Sequence, residues 1–238
     1  MIEPLLLAVT RISTYAGRQA LTAATGFFFR RKRRLFLVTS RHVLGDPDSG
    51  HQPDRIEIVL HTDTVNLTRS VLVSLPLYRS GERRWRQGVD SGGEVDVAAL
   101  ELDPASLPQG AVFHAFTPEH LQVELEEIRI GAPLLVVGFP LGFYDMAYNL
   151  PVARQAIVAS AFGVRFQGQG YFLTDARTHR GTSGAPVVMH DAGAGSELPW
   201  RLVGIHSAQL DMGNREWGDE SLGLNSAWYA DMLMALTE

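Results

Sequence analysis

The stretch "RTHRGTSGAPVV", residues 177–188, sets Ser183 between Gly181 and Gly184, with Pro186 and two valines directly after. A serine in such a turn is either plain turn chemistry or a nucleophile held where the backbone bends sharply. The upstream sequence bears on the choice. "LVTSRHVL" carries His42 at the end of an apolar run, and "EVDVAALEL" carries Asp96 at the start of another. A serine hydroxyl is too weakly acidic to attack an amide unaided. It needs a base to take its proton and a carboxylate to orient that base. His42, Asp96 and Ser183 supply those three residue types.

Working outward, short apolar runs recur along the chain. They are "LLLAVTRIS", "TGFFF", "LFLVTS", "RIEIVL", "SVLVSL", "VDVAALEL", "IRIGAPLLVVGF", "QAIVASAFGV", "YFLTDA", "APVVM", "RLVGIHS" and "LGLNS". Val, Ile, Leu and Phe dominate them and Gly, Pro, Asp or Ser punctuate them, which predicts an all-β chain of many antiparallel strands. Only the C-terminal "SAWYADMLMALTE" reads as helix, with Trp228, Met232 and Leu236 spaced by four and Ser226 able to cap it. Residues 103–120 hold three prolines and little strand pattern, and so predict a connection between an N-terminal half (1–110) and a C-terminal half (121–238). Residues 80–94 read as a polar loop. No internal repeat points to a solenoid or propeller.

Composition narrows the function classes. The 238 residues, 45% hydrophobic and 20% charged, suit a globular enzyme with a sizeable core. With no cysteine, disulfides and thiolate-bound zinc are out, and eight scattered histidines include no H-E-x-x-H. Neither a metal nor a cofactor is expected. The N-terminal "MIEPLLLAVTRIST" has no basic residue before its apolar run and no small-residue cleavage site, so it reads as a first strand and the chain as cytoplasmic. No apolar run is long enough to span a membrane. A net charge of −5 gives no drive toward nucleic acid. The exception is "RRKRR" (30–34), which lies between two strand-like runs and reads as a solvated hairpin tip that discourages edge pairing, rather than a nucleic-acid patch.

The three motifs together, in the order His, Asp, Ser, resemble the chymotrypsin/trypsin-like serine peptidase family, in particular its bacterial and periplasmic-protease-like members. There the histidine follows a strand end as "hydrophobic-T-x-x-H-V", the aspartate opens "D-hydrophobic-A-x-L" and the nucleophile lies in "G-x-S-G-x-P". The resemblance implies two packed antiparallel β-barrels, peptide-bond hydrolysis by a triad of His42, Asp96 and Ser183, and an oxyanion hole from the N–H groups of Gly181 and Ser183. It implies protein or peptide substrates. It also implies that Ser207 supports Asp96, and that the backbone of Ser207, Ala208 and Gln209 pairs with the substrate as an added strand. A rival α/β-hydrolase elbow wants G-x-S-x-G, but Ala185 stands at the last glycine, and that fold orders acid and histidine after the serine.

Within the resemblance, two departures matter. Zymogen-type relatives carry an aspartate just before the nucleophile that pairs with a freshly cut N-terminus; here it is Thr182, and no R-I-V-G-G site lies near the start. No N-terminal processing is therefore expected, and any control would come from a partner, a ligand or loop ordering. Six residues before Ser183, where Lys/Arg specificity wants an aspartate, stands Arg177, which repels a substrate cation. Thr178 and His206 resemble the pocket pair of glutamyl endopeptidases and 3C-like proteases, whose donors hold the side-chain oxygen of Glu or Gln. The inserted "DAGAGSELPW" lengthens the spacing from serine to that histidine. The alternative to an enzyme is a peptidase fold that binds a partner and stays latent.

Overall fold

The computed structural model describes residues 2–121, 128–193, 197–210 and 222–238. Part of the "DAGAGSELPW" insertion, residues 194–196, lies outside them. A short helix α1 (Pro4–Leu7) is followed by β1 (Val9–Ala16), β2 (Gln19–Arg31), β3 (Arg34–Thr39), one turn of helix α2 (Arg41–Leu44), β4 (Arg55–His61) and β5 (Ser70–Pro76). Next come the small hairpin β6 (Tyr78–Arg79) and β7 (Glu82–Arg83), then β8 (Trp85–Asp90) and β9 (Gly93–Leu102). After the connection follow β10 (Pro133–Gly138), β11 (Val152–Val158), β12 (Tyr171–Asp175), β13 (Pro186–His190), β14 (Trp200–Gln209), β15 (Leu224–Tyr229) and the terminal helix α3 (Leu233–Leu236). The first half forms a seven-stranded sheet in the order β5-β4-β1-β2-β3-β9-β8, and the second closes into a barrel, β10-β11-β12-β15-β14-β13. Every pairing between these strands is antiparallel.

Strand side chains alternate between two faces, and here both faces of the central strands are buried, which is why their runs are apolar throughout. On β2, Phe28 enters the core of the first half, while Phe27 and Phe29 enter a core between the halves. On β3, Leu35 and Leu37 face the first core and Phe36 and Val38 the seam. The second half repeats the device: Val187 on β13 and Val203 on β14 point into the barrel, and Val188 and Ile205 into the seam. Apolar burial of a single such side chain contributes about 1.5–3 kcal/mol, so the seam is held as firmly as either half.

Three expectations change. Residues 226–229 are strand, not helix: Ser226, Ala227 and Trp228 pair with Leu173, Phe172 and Tyr171 of β12, and β14 flanks them on the other side. The barrel closes through this strand. Ala227 faces the barrel core and Trp228 the seam, so a period of two displaces the spacing by four, and the helix begins only after Tyr229. The polar stretch 80–94 also forms strand. As an edge strand β8 needs few buried side chains, and Trp85, 7% exposed and edge-on to Tyr78, supplies one. At the N-terminus, Leu5 and Leu7 lie on α1 rather than on a strand, with Pro4 at its start.

The basic hairpin is more than a solvated tip. Lys32 and Arg33 make the turn, but Arg34 grips Glu101 through two hydrogen bonds of 2.5 and 2.8 Å and donates to the Glu238 carbonyl at 2.8 Å. Arg31 donates to the Met234 carbonyl and Arg86 to that of Glu238. The cluster thus clasps the terminal helix. No helix among the described residues is long and apolar enough to cross a membrane.

Gly184 lies at the tightest approach of the two halves. Its φ is +84°, and a Cβ there would collide with Thr39 Oγ1 and the Thr25 carbonyl. Gly184→Ala is expected to cost about 3 kcal/mol or more, from backbone strain and overpacking together, read as a lowered urea midpoint. An unchanged midpoint would contradict this packing.

Candidate active site

His42 lies on α2, directly after β3. Val43 and Leu44 bury into the first core and fix that turn, leaving the imidazole partly exposed. Asp96, on β9, accepts from the His42 backbone N–H at 2.9 Å through Oδ1 and meets His42 Nδ1 at 2.7 Å through Oδ2. Ser207 on β14 donates to the same Oδ2 at 2.5 Å. Burial pushes the Asp96 carboxyl up. The hydrogen bond and charge of His42, with the bond from Ser207, outweigh that and hold its pKa below the usual carboxylate value. An ionised Asp96 accepts the Nδ1 proton, which leaves Nε2 of a neutral imidazole as the basic nitrogen.

His42 and Ser183 line one cavity of about 760 Å³, between the first half (Gln19–Ala24, Val43, Asp46, Ser49–His51) and the second (Leu141, Gly142, Arg180, Gly181). Ser183 sits in the loop before β13, and no hydrogen bond joins its hydroxyl to His42 in the resting structure. Such bonds are often loose before substrate binds. Among the described residues, the N–H groups of Gly181 and Ser183 find no acceptor, whereas their neighbours do: Thr182 N–H bonds the His179 carbonyl, Gly184 N–H that of His206, and Ala185 N–H that of Thr182. Two free N–H groups two residues apart beside a serine can receive an oxyanion. Gly181 is required there, since φ is +92° and a Cβ would stand 2.5 Å from the Phe139 carbonyl.

The loop that holds them is tied to the first half by Thr25 of β2. Its Oγ1 donates to the Gly181 carbonyl at 2.7 Å and accepts from the Phe139 N–H at 3.1 Å, and its N–H donates to the Ser183 carbonyl at 3.0 Å. Thr39 Oγ1 in turn donates to the Thr25 carbonyl at 2.7 Å. Leu141 N–H donates to the Arg180 carbonyl at 2.6 Å, which fixes the trans peptide unit that carries the Gly181 N–H on its opposite side. Sequence reading missed Thr25. Its signal was a polar residue at the head of "TGFFF".

This arrangement, a base and its carboxylate on one half and a serine with two free N–H groups on the other, agrees with sequence comparison: the family profile of the trypsin-like peptidase domain matches residues 24–205. The chain belongs to that family. The matched span includes all three residues of the proposed triad and Thr25. No curated protein sequence matches the chain. Among solved structures, an HtrA-type protease, an AlgW variant determined with a tripeptide, is similar with a TM-score of 0.59 at 18% identity. The likeness covers 98% of this trypsin-like domain and 59% of that chain, so the domain spans about three-fifths of the length of that protein, and at this identity it shows a shared fold.

The expected pocket residues are spread over distinct environments. Arg177 is exposed, while Thr178 and His206 are each 2% exposed. Thr178 donates its hydroxyl to Asn225 Oδ1, and Asn225 donates to the carbonyls of Ala176 and Gly223 at 2.8 and 3.1 Å. Asn225 was also missed, though an asparagine within an apolar strand run is a signal for a buried polar role. His206 Nδ1 is buried with no partner, and burial, with the nearby His42 charge, pushes its pKa down to about 4. Ser207 is buried, whereas Ala208 and Gln209 are exposed. No group of three or more metal-ligating side chains occurs among the described residues.

Two predictions follow from this geometry. Thr25→Val keeps the shape and removes both hydroxyl bonds, so covalent labelling of Ser183 by a fluorophosphonate should slow by about a hundredfold, with Thr25→Ser restoring it. Equal labelling of all three proteins would remove Thr25 from the site. The second concerns pH: His206 takes its proton at about 4 when folded, against about 6.5 unfolded. Between those values the unfolded chain holds more protons, so stability falls as pH falls, by on the order of 3 kcal/mol across the window. Urea midpoints should drop more steeply from pH 6.5 to 4 for wild type than for His206→Gln, and parallel curves would contradict a neutral buried imidazole.

Proposed function

We propose that this protein is a serine endopeptidase in which Ser183 attacks the scissile carbonyl, His42 Nε2 takes the hydroxyl proton and Asp96 orients the imidazole. The observation that carries the reading is the Asp96–His42 pair at 2.7 Å, opening on the cavity that also holds Ser183. As the serine oxygen bonds to carbon, the carbonyl electrons move onto oxygen, and the N–H groups of Gly181 and Ser183 donate hydrogen bonds to that oxyanion. The imidazolium returns its proton to the departing amine, leaving an acyl-serine. Water then repeats the sequence and frees the acid. On this reading the acyl side of the substrate runs along Ser207, Ala208 and Gln209 as an added strand.

Activation without N-terminal cleavage belongs to the same reading. Thr182 Oγ1 donates to the His179 carbonyl at 2.7 Å, and Thr25 holds the Gly181 carbonyl. Neutral hydrogen bonds thereby do the work an ion pair with a new N-terminus does in zymogen-type relatives. The residue before the cut is proposed to be Gln or Glu, supported by the neutral imidazole of His206, whose buried Nδ1 has no partner. The hydroxyl of Thr178 is already given to Asn225, so the preference rests on His206. Arg177 adds repulsion against Lys or Arg.

A second reading, a latent peptidase fold that binds a partner, has in its favour only the unformed hydrogen bond from Ser183 to His42. A mixed peptide library separates the two. Cleavage after Gln or Glu is expected, abolished by Ser183→Ala and reduced about 10⁴-fold in kcat by Asp96→Asn. If no cleavage and no fluorophosphonate labelling of Ser183 occur, the enzyme reading fails, and cuts lacking Gln or Glu would refute the pocket assignment alone.

A further inference from the structure

The segment between β10 and β11 exposes large apolar side chains without being loose. Leu141, Phe143 and Met146 are 71%, 69% and 79% exposed, and Tyr148 is 44% exposed. Scattered exposed apolar residues are ordinary, but four within eight positions on one ordered loop form a patch of the kind that marks an interaction site. The loop is pinned from several sides. Asp145 and Leu150 exchange backbone bonds of 3.0 and 3.3 Å, and the Asp145 carboxylate accepts from the N–H groups of Ala147 and Tyr148. His61 Nε2 donates to the Tyr148 carbonyl at 2.6 Å, and Asn149 Nδ2 donates to Ser70 Oγ at 3.1 Å, so the loop leaves the barrel and anchors on the first half. Leu141 holds φ at +53°, a left-handed conformation unfavourable for a residue with a Cβ, and Asn149, whose type tolerates that conformation, holds φ at +52°. The loop therefore keeps its shape while leaving the apolar groups in water.

The patch begins at the reaction centre. Leu141 lines the cavity that holds His42 and Ser183, and its N–H holds the Arg180 carbonyl beside the Gly181 N–H. The opposite cavity wall is β2, residues Gln19–Ala24, and Ser207–Gln209, assigned above to the acyl side, take no part in the cavity. The cavity therefore faces the leaving-group side of the cut. Where Asn149 meets Ser70, the adjoining edge strand β5 adds Val71 and Leu72, 42% and 61% exposed.

We propose that Leu141, Phe143 and Met146 form an exosite for apolar side chains of the polypeptide substrate downstream of the scissile bond, so that the enzyme selects chains by their leaving-group segment. This rests on the peptidase reading above. Because the loop is already ordered, docking an apolar segment there restricts only the substrate, which favours binding.

The test compares substrates sharing one acyl sequence. One ends in p-nitroanilide. The others continue for six residues beyond the cut, with either Leu and Phe or Ser at the second to fifth positions. The apolar peptide should be cleaved with kcat/KM about tenfold above the serine peptide, mostly through KM. Phe143→Ser combined with Met146→Ser should erase that difference and leave p-nitroanilide turnover unchanged. Equal cleavage of apolar and serine peptides by the wild type would overturn the proposal, as would a preference untouched by the double variant. Concentration-dependent dimerisation that the double variant abolishes, without a peptide preference, would assign the patch to a second copy and also overturn it. Failure of the wild type to cleave even p-nitroanilide counts against the peptidase reading instead. In that case anisotropy of a labelled apolar peptide on Ser183→Ala decides the exosite: binding lost in the Phe143→Ser, Met146→Ser background supports it, and binding unaffected or absent overturns it.

Discussion

Where the chemistry is proposed to occur, one buried threonine ties the serine loop to the first half. Thr25 belongs to β2, yet its hydroxyl and N–H reach the carbonyls of Gly181 and Ser183, and the same hydroxyl receives the Phe139 N–H. Each bond is worth only about 1 kcal/mol net, but each leaves a buried polar group uncompensated if broken. Their larger effect is geometric. The first half holds the carbonyls of Gly181 and Ser183, while the carbonyls of Arg180 and Thr182, which share peptide units with the free Gly181 and Ser183 N–H groups, are taken by the N–H groups of Leu141 and Ala185. Gly184 allows this approach because no side chain intervenes between the serine loop and β2 and β3.

Two buried titratable groups behind the serine are tuned in opposite senses by the same surroundings. Asp96 stays charged although burial opposes it, because His42 and Ser207 both hydrogen bond to it. His206, one residue before Ser207, stays neutral because it is buried with no anionic partner and with His42 nearby. Adjacent positions on β14 therefore serve different ends. Ser207 donates to the Asp96 carboxylate, and His206 sits in the interior with its Nδ1 unpartnered.

The strands on either side of the seam were legible because both of their faces are largely buried, so "TGFFF", "LFLVTS" and "VDVAALEL" are dominated by apolar residues. His42, Asp96 and Ser183 were legible because each lies at the end of such a run. What the linear pattern hid follows from tertiary context. Thr25 and Asn225 look like ordinary polar interruptions, since their partners lie far away in sequence. Ser226–Tyr229 looked helical because Trp228, Met232 and Leu236 share a spacing of four, but closing a barrel needs a last strand and the pairing took precedence. The edge strand β8 was hidden by its own exposure, which leaves its composition polar. The basic hairpin reads as a solvated tip because its partners, the Glu101 carboxylate and the backbone carbonyls of Met234 and Glu238, lie far away in sequence.

The division of the site has a consequence for how the protein is born. The base and its carboxylate lie on the half synthesised first, and the contact from Thr25 to Gly181 spans 156 residues. At about 5–20 residues per second, roughly 8–30 s separate the emergence of its two ends from the ribosome. Throughout that interval Ser183, the residue His42 is proposed to activate, has not been made, and the Thr25 contact to its loop forms only once both halves are present. On the proposed reading, such a chain cannot act before its second half has emerged.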